Sequence, residues 1–269
     1  MLAGVALAAL LVAACGGRQR VVGSATAPTV PRAPRAPTAP VKRPREGPRA
    51  PGTTVRRFLL GHSVQGRPIV AYEITGGTGP PQRTVLVVGC IHGNEPAGIP
   101  IARALVKARP PVATRLWVIP VLNPDGVAAD TRQNADGVDL NRNFPWHWHP
   151  LGPSGSTFYA GPHALSEPES AIAARLILKV HPQISIWFHQ RQDLVDLSGG
   201  DPRIERRFAA LVGLPVTELT RFPGSVVSWE NSQLPGSTAF VVELPAGELS
   251  DAGVRRYARA VLELARPPS

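Results

Sequence analysis

The run Val85-Leu86-Val87-Val88 constrains this chain more than any other stretch. A strand with one face in water alternates apolar and polar residues, whereas an unbroken apolar run belongs to a strand covered on both faces. Phe240-Val241-Val242 has the same character. From Gly52 onward, short apolar runs alternate with helical stretches, the pattern of an α/β domain. Strands are expected over 56–60, 68–74, 84–90, 116–122, 184–189 and 239–244, and helices over 96–108, 167–180, 202–211 and 250–265. Residues 123–165 show no period, are rich in Asn, Asp, Gly, Pro and His, and read as a long functional loop.

The first strand run ends in Gly89-Cys90-Ile91-His92-Gly93-Asn94-Glu95-Pro96, where a helix is expected to begin. Ligands of open α/β sheets collect beyond the carboxyl ends of strands. A histidine and a glutamate three residues apart at a Gly-containing turn can converge on one cation, the imidazole giving a borderline-soft nitrogen and the carboxylate a hard oxygen. The same residues also suit a turn cap and a helix-dipole partner.

Further signals follow in order: Asn123-Pro124-Asp125-Gly126, then Arg132, then Gly137-Val138-Asp139-Leu140-Asn141-Arg142-Asn143-Phe144. Together with His92 and Glu95 they resemble the zinc carboxypeptidase family. Upstream, Ser63-Val64-Gln65-Gly66-Arg67-Pro68 is similar to the family's opening turn. Tyr159, Gly161, Pro162 and Ser166-Glu167-Pro168-Glu169 resemble its pre-helix segment, and Phe240-Val241-Val242-Glu243-Leu244 its catalytic-glutamate strand. The resemblance spans nearly all of 54–267 and implies a three-layer α/β/α sandwich around a mixed, mostly parallel sheet.

It also implies roles. His92, Glu95 and His189 would hold one Zn²⁺ per chain, and Glu243 would be the general base. Arg132 would polarise the scissile carbonyl, while Asn141 and Arg142 would grip a terminal carboxylate, for which a planar guanidinium is suited. Asp139 would orient His92 from behind. His147, His149, His163 and His181 compete with His189 for the third ligand position. The pair in Trp146-His147-Trp148-His149 is bracketed by Pro145 and Pro150, and His181 precedes Pro182 at an expected helix end.

One departure bears on substrate. Digestive members carry a mobile tyrosine about twenty residues before the base, and residues 221–242 contain none. Phe222-Pro223-Gly224-Ser225 with Ser228-Trp229 resembles instead the bacterial murein-peptide amidases, which cut the γ-D-glutamyl–diaminopimelate bond. The expected activity is a zinc metallopeptidase acting on peptides, cell-wall derived in the first instance. An aspartoacylase-like zinc deacylase shares the His-Gly-Asn-Glu turn and the Asp-Leu-Asn-Arg segment, and a catalytically silent wall-binding lipoprotein is the reading from another class.

The first fifth of the chain is different in kind. Leu2 to Ala14 is a Leu/Val/Ala run of signal-peptide length, ending in Val12-Ala13-Ala14-Cys15. This resembles a lipobox, with Cys15 the acylated residue of a lipoprotein anchored outside the cytoplasm; an ordinary secretory signal would read similarly and give a secreted protein. No Lys or Arg precedes the run, a departure accounted for if translation starts upstream. Prolines then recur every three or four residues from Pro28 to Pro51, a composition that favours a polyproline spacer of about 3 Å per residue. The expected division is 1–15 signal peptide, 16–53 linker and 54–269 catalytic domain.

Charge follows the same division. Residues 1–52 hold eight Lys/Arg against one acid and residues 53–269 hold 21 against 18, so the net +10 splits into +7 and +3. The excess of basic residues therefore sits in the Pro-rich tail rather than interleaved with aromatics on the fold, and no nucleic-acid partner is expected. Two cysteines, Cys15 and Cys90, make neither a disulfide framework nor a Cys-rich metal site.

Overall fold

The computed structural model describes residues 52–267, so the expected signal peptide, the lipidation site Cys15 and nearly all of the linker lie outside the described residues. Eight strands form one mixed sheet in the order β1-β2-β4-β3-β5-β8-β6-β7. The strands are β1 (Thr53–His62), β2 (Pro68–Gly76), β3 (Arg83–Val88), β4 (Thr114–Ile119), β5 (Ile184–Gln190), β6 (Leu194–Asp196), β7 (Val216–Thr217) and β8 (Thr238–Leu244). The centre, β4-β3-β5-β8, is parallel throughout, and antiparallel pairs flank it.

The helices are α1 (Gly98–Lys107), α2 (Pro124–Ala129), α3 (Pro168–Val180), α4 (Pro202–Val212), α5 (Val226–Gln233) and α6 (Asp251–Leu264). On one face, Ile101 and Leu105 of α1, Phe208 of α4 and Tyr257 and Val261 of α6 bury Val85, Val87, Phe240 and Val242. On the other, Ile172 and Leu176 of α3 and Val226 and Trp229 of α5 bury Leu86, Val88, Trp187 and Val241. Successive residues of a strand point to opposite faces, so an unbroken apolar run feeds two cores at once. The three-layer α/β/α architecture is thereby present.

Several expected boundaries shift. β3 stops at Val88, two residues before the expected end, because Gly89 and Cys90 already belong to the turn that carries His92. β4 ends at Ile119, three residues before the expected end, and β1 begins at Thr53, one residue before the expected domain start. The expected loop 123–165 contains α2, whose Asn123 side chain accepts from Gly126 N–H with Pro124 in the first turn. It also holds a single 3-10 turn, Leu140–Arg142, capped by Asp139. β6, β7 and α5 had no counterpart among the expected elements. Among the described residues no helix is long and apolar enough to cross a membrane.

Candidate active site

The turn after β3 is shaped by close backbone approach. A Cβ on Gly93 would lie 1.9 Å from the carbonyl carbon of Gly126, so the strand-to-helix turn presses on α2 with no room for a side chain. Glu95 N–H donates to His92 O at 3.0 Å, and this tight turn brings both side chains to the same side. His189 arrives from the carboxyl end of β5, the neighbour of β3.

His92, Glu95 and His189 converge, with one ligand-competent atom from each within 4.8 Å of the others. Nδ1 of His92 and Nδ1 of His189 each lie 3.0 Å from Glu95 Oε2. Nε2 of His92 lies 3.0 Å from Asp139 Oδ1, within the buried core of the site. When Nε2 carries the proton that Asp139 accepts, Nδ1 turns a lone pair toward a carboxylate oxygen. Contacts at that distance between a ring nitrogen and a carboxylate oxygen hold either a proton on the ring or a metal ion shared by the two groups.

The electrostatics agree. Burial opposes charge on His92, yet the carboxylates of Asp139 and Glu95 outweigh it and raise the imidazole's pKa. Burial likewise opposes charge on Glu95 and Asp139, but His92 together with His189 or Arg132 holds both well below the usual carboxylate range. Two imidazoles and one carboxylate are a fitting donor set for zinc, and three protein ligands are the number found in catalytic rather than structural zinc sites.

Around this cluster stand the other expected residues. Arg132 donates from Nη1 to Glu95 Oε1 and from Nε to Asp139 Oδ2, both at 2.9 Å, which ties it to the back of the cluster. Asn141 accepts Val226 N–H at its Oδ1, so its amide hydrogens are what it offers the cavity. Arg142 is 6 % exposed and donates from Nη1 to Asn141 O, while its Nε is buried without a partner. Its guanidinium lies 5.5 Å from the Phe158 ring centroid and 4.5 Å from that of Phe222. Gly224 explains the Phe-Pro-Gly-Ser loop: at φ +75° it sets its backbone so close to Arg142 that a Cβ would meet Arg142 O at 1.9 Å.

Glu243, the penultimate residue of β8, lies beside His189, 7 % exposed, with Oε2 buried and unpartnered. Burial raises its pKa, opposed by the nearby imidazoles. All these side chains except Asp139 line one cavity of about 400 Å³ at the carboxyl ends of the central strands.

The competing histidines lie elsewhere. His147 packs on Trp146, His149 Nδ1 lies 3.1 Å from His147 O, His163 Nδ1 lies 3.0 Å from Ala164 O, and His181 caps α3. Among the described residues they join no ligand cluster. Sequence reasoning missed Phe158, Asp196, Ser198 and Arg221, which also line the cavity. A three-residue β6 carries no period from which Asp196 stands out; Phe158, alone in an aperiodic loop, carried no signal either.

The zinc carboxypeptidase family profile matches residues 49–203, more than half of the chain, and the chain belongs to that zinc-dependent family of hydrolases. Among individual proteins, the chain is 28 % identical to murein peptide amidase A of Escherichia coli K12 over 207 residues, covering 70 % of this chain and 81 % of that protein. The crystal structure of the murein-tripeptide amidase of Escherichia coli O157 superposes with a TM-score of 0.64 at 27 % identity, over 84 % of this chain and 98 % of that one. An aspartoacylase family protein from Mesorhizobium loti shares the fold alone, at 24 % identity and a TM-score of 0.55 over 82 % of this chain and 70 % of that one.

Proposed function

We propose that this zinc carboxypeptidase-family hydrolase cleaves an amide bond next to a free carboxylate in cell-wall peptides, of which γ-D-glutamyl–diaminopimelate is the leading case. The observation that carries the reading is Arg142. A buried guanidinium with an unpartnered Nε, in the same cavity as the His-Glu-His cluster, calls for an anion from the ligand. The murein peptide amidase relatives support the choice of wall peptides.

In this reading one zinc per chain is held by His92, Glu95 and His189, and when bound it supplies Lewis-acid polarisation of the carbonyl and acidification of water. Arg142 and Asn141 fix the substrate carboxylate, which sets the scissile bond in register with Glu243. Glu243 accepts a proton from the attacking water and delivers it to the departing nitrogen, its buried and unpartnered Oε2 being free for both transfers. Asp139 accepts from His92 and fixes its ring. Arg132 steadies Glu95 and Asp139 and offers positive charge to the developing oxyanion.

The tail fits this substrate, since a lipid on Cys15 would hold the enzyme outside the cytoplasm at the membrane, with the Pro-rich segment as spacer. The direct test incubates the purified zinc-loaded protein with L-alanyl-γ-D-glutamyl-diaminopimelate and, separately, with N-acyl amino acids. Release of free diaminopimelate is expected. Hydrolysis confined to the N-acyl amino acids would instead support a deacylase, and tight wall-peptide binding without turnover a silent receptor.

A further inference from the structure

Among the described residues, Arg142, Glu243 and Asp196 face the cavity without an ion-pair partner, and the first two already have places in the reading above. Asp196, 8 % exposed, stands at the end of β6. Its Oδ1 accepts Leu219 N–H at 2.8 Å and its Oδ2 accepts the Ser198 hydroxyl at 2.7 Å, both neutral donors. Among the described residues no Lys, Arg or His nitrogen comes within 4.0 Å of it.

A carboxylate desolvated to this degree is costly unless a cation joins it. Directly behind it is a second acid, which makes the deficit larger. Glu205, 1 % exposed, accepts Ser198 N–H at 3.0 Å, and burial together with the charge of Asp196 pushes its pKa up to about 7 against the weaker opposing charge of Arg221. Ser198 therefore links two acids on the cavity wall. Leu219 and Ser198 explain why Asp196 keeps its place, and neither supplies the missing positive charge.

The sheet sets the reach. β6 runs antiparallel to β8 with Leu194 opposite Glu243 and Val195 opposite Val242, which puts Asp196 beside Val241. Two residues along one strand and one strand across amount to about 8 Å from the backbone of Glu243. A substrate residue cut at Glu243 touches Asp196 only through a side chain of several carbons.

We infer that Asp196 binds the side-chain ammonium of the residue on the carboxylate side of the cut bond, so that the site selects a C-terminal diamino acid. The inference rests on the reading above in assigning that residue's own carboxylate to Arg142. Arg221, whose guanidinium packs on Gly199 at the cavity rim and whose Glu218 partner is exposed, stands ready for a second, distal carboxylate.

The test is calorimetric titration of the zinc-loaded protein with diaminopimelate and with 2-aminopimelate, which differ only in the distal amine. The wild-type protein is expected to bind diaminopimelate at least about tenfold more tightly, the scale of one buried charge pair. Asp196→Asn is expected to bring the two affinities within about threefold of each other. Equal wild-type affinities, no binding of either ligand, or a preference that survives Asp196→Asn would overturn the inference. Where the variant does not fold, the wild-type ratio decides. Hydrolysis of γ-D-glutamyl peptides is scored separately. An intact preference without such hydrolysis supports Asp196 and sinks the murein reading, whereas hydrolysis without the preference does the reverse.

Discussion

His189 and Glu243 are register partners on the parallel strands β5 and β8, so two neighbouring positions of the sheet hold the expected third zinc ligand and the expected base. Strands in a sheet lie about 4.8 Å apart, and both side chains are more than nine-tenths buried. The base is therefore positioned by the most rigid part of the fold rather than by a loop. Glu243→Gln keeps shape and removes only the proton acceptor. It is expected to lower kcat by roughly 10²–10⁴-fold while zinc content stays at the wild-type level. Turnover and metal analysis on the same preparation check this.

Asp139 would act on a bound zinc through His92. It accepts from the ring and from Asn141 N–H, and is fully buried. Replacing it by asparagine removes the charge that fixes the ring's orientation and basicity. Asp139→Asn is expected to weaken zinc affinity by about 10–100-fold, read by competition with a chromogenic chelator.

Gly93 has no space for even a methyl group, because the Gly126 backbone occupies it. Gly93→Ala is expected to push the His92–Glu95 turn away from α2. Zinc binding should fall together with thermal stability, and the loss should exceed about 2 kcal/mol, as for other steric insertions into packed regions. Retention of both would mean that the turn has slack the structure does not show.

Glu230 makes a pH-dependent prediction remote from the metal. It belongs to α5 and is completely buried, with the Ser185 hydroxyl donating to Oε1 and no partner at Oε2. Burial pushes its pKa up to about 7 against the donation from Ser185. The native state therefore binds a proton that the unfolded chain has released, and stability falls as pH rises from about 4.5 to about 7. Glu230→Gln cannot lose a proton, so relative to wild type it is expected to gain on the order of 2–3 kcal/mol between pH 4 and pH 8. Urea denaturation of both proteins at the two pH values checks the sign; a difference unchanged by pH contradicts it.

What the sequence discloses follows physical rules. β3 and β8 are legible because continuous apolar runs have few alternatives to a doubly covered strand. His92 and Glu95 are legible because they stand at the turn where such a run ends, the place at which α/β sheets present chemistry, whereas the roles of His189 and Glu243 are legible through the resemblance to zinc carboxypeptidases, since four other histidines compete for the third position. α5 escapes notice because Val226–Gln233 has almost no sidedness, being held between the sheet and the loop at Gly224 rather than by an apolar stripe. Asp196 escapes because its meaning depends on β6 lying beside β8, 47 residues later in the chain, a pairing that no local pattern encodes. Arg132 is legible as a charge near the site, but its ties to Glu95 and Asp139 are tertiary contacts.

A single cation shared by His92, Glu95 and His189 underlies every role assigned above. Elemental analysis of the protein after exhaustive dialysis, wild type beside His189→Ala, tests it most directly. About one zinc per wild-type chain is expected, and far less than one in the variant. Equal zinc in the two proteins, or none in the wild type after reloading, would contradict it.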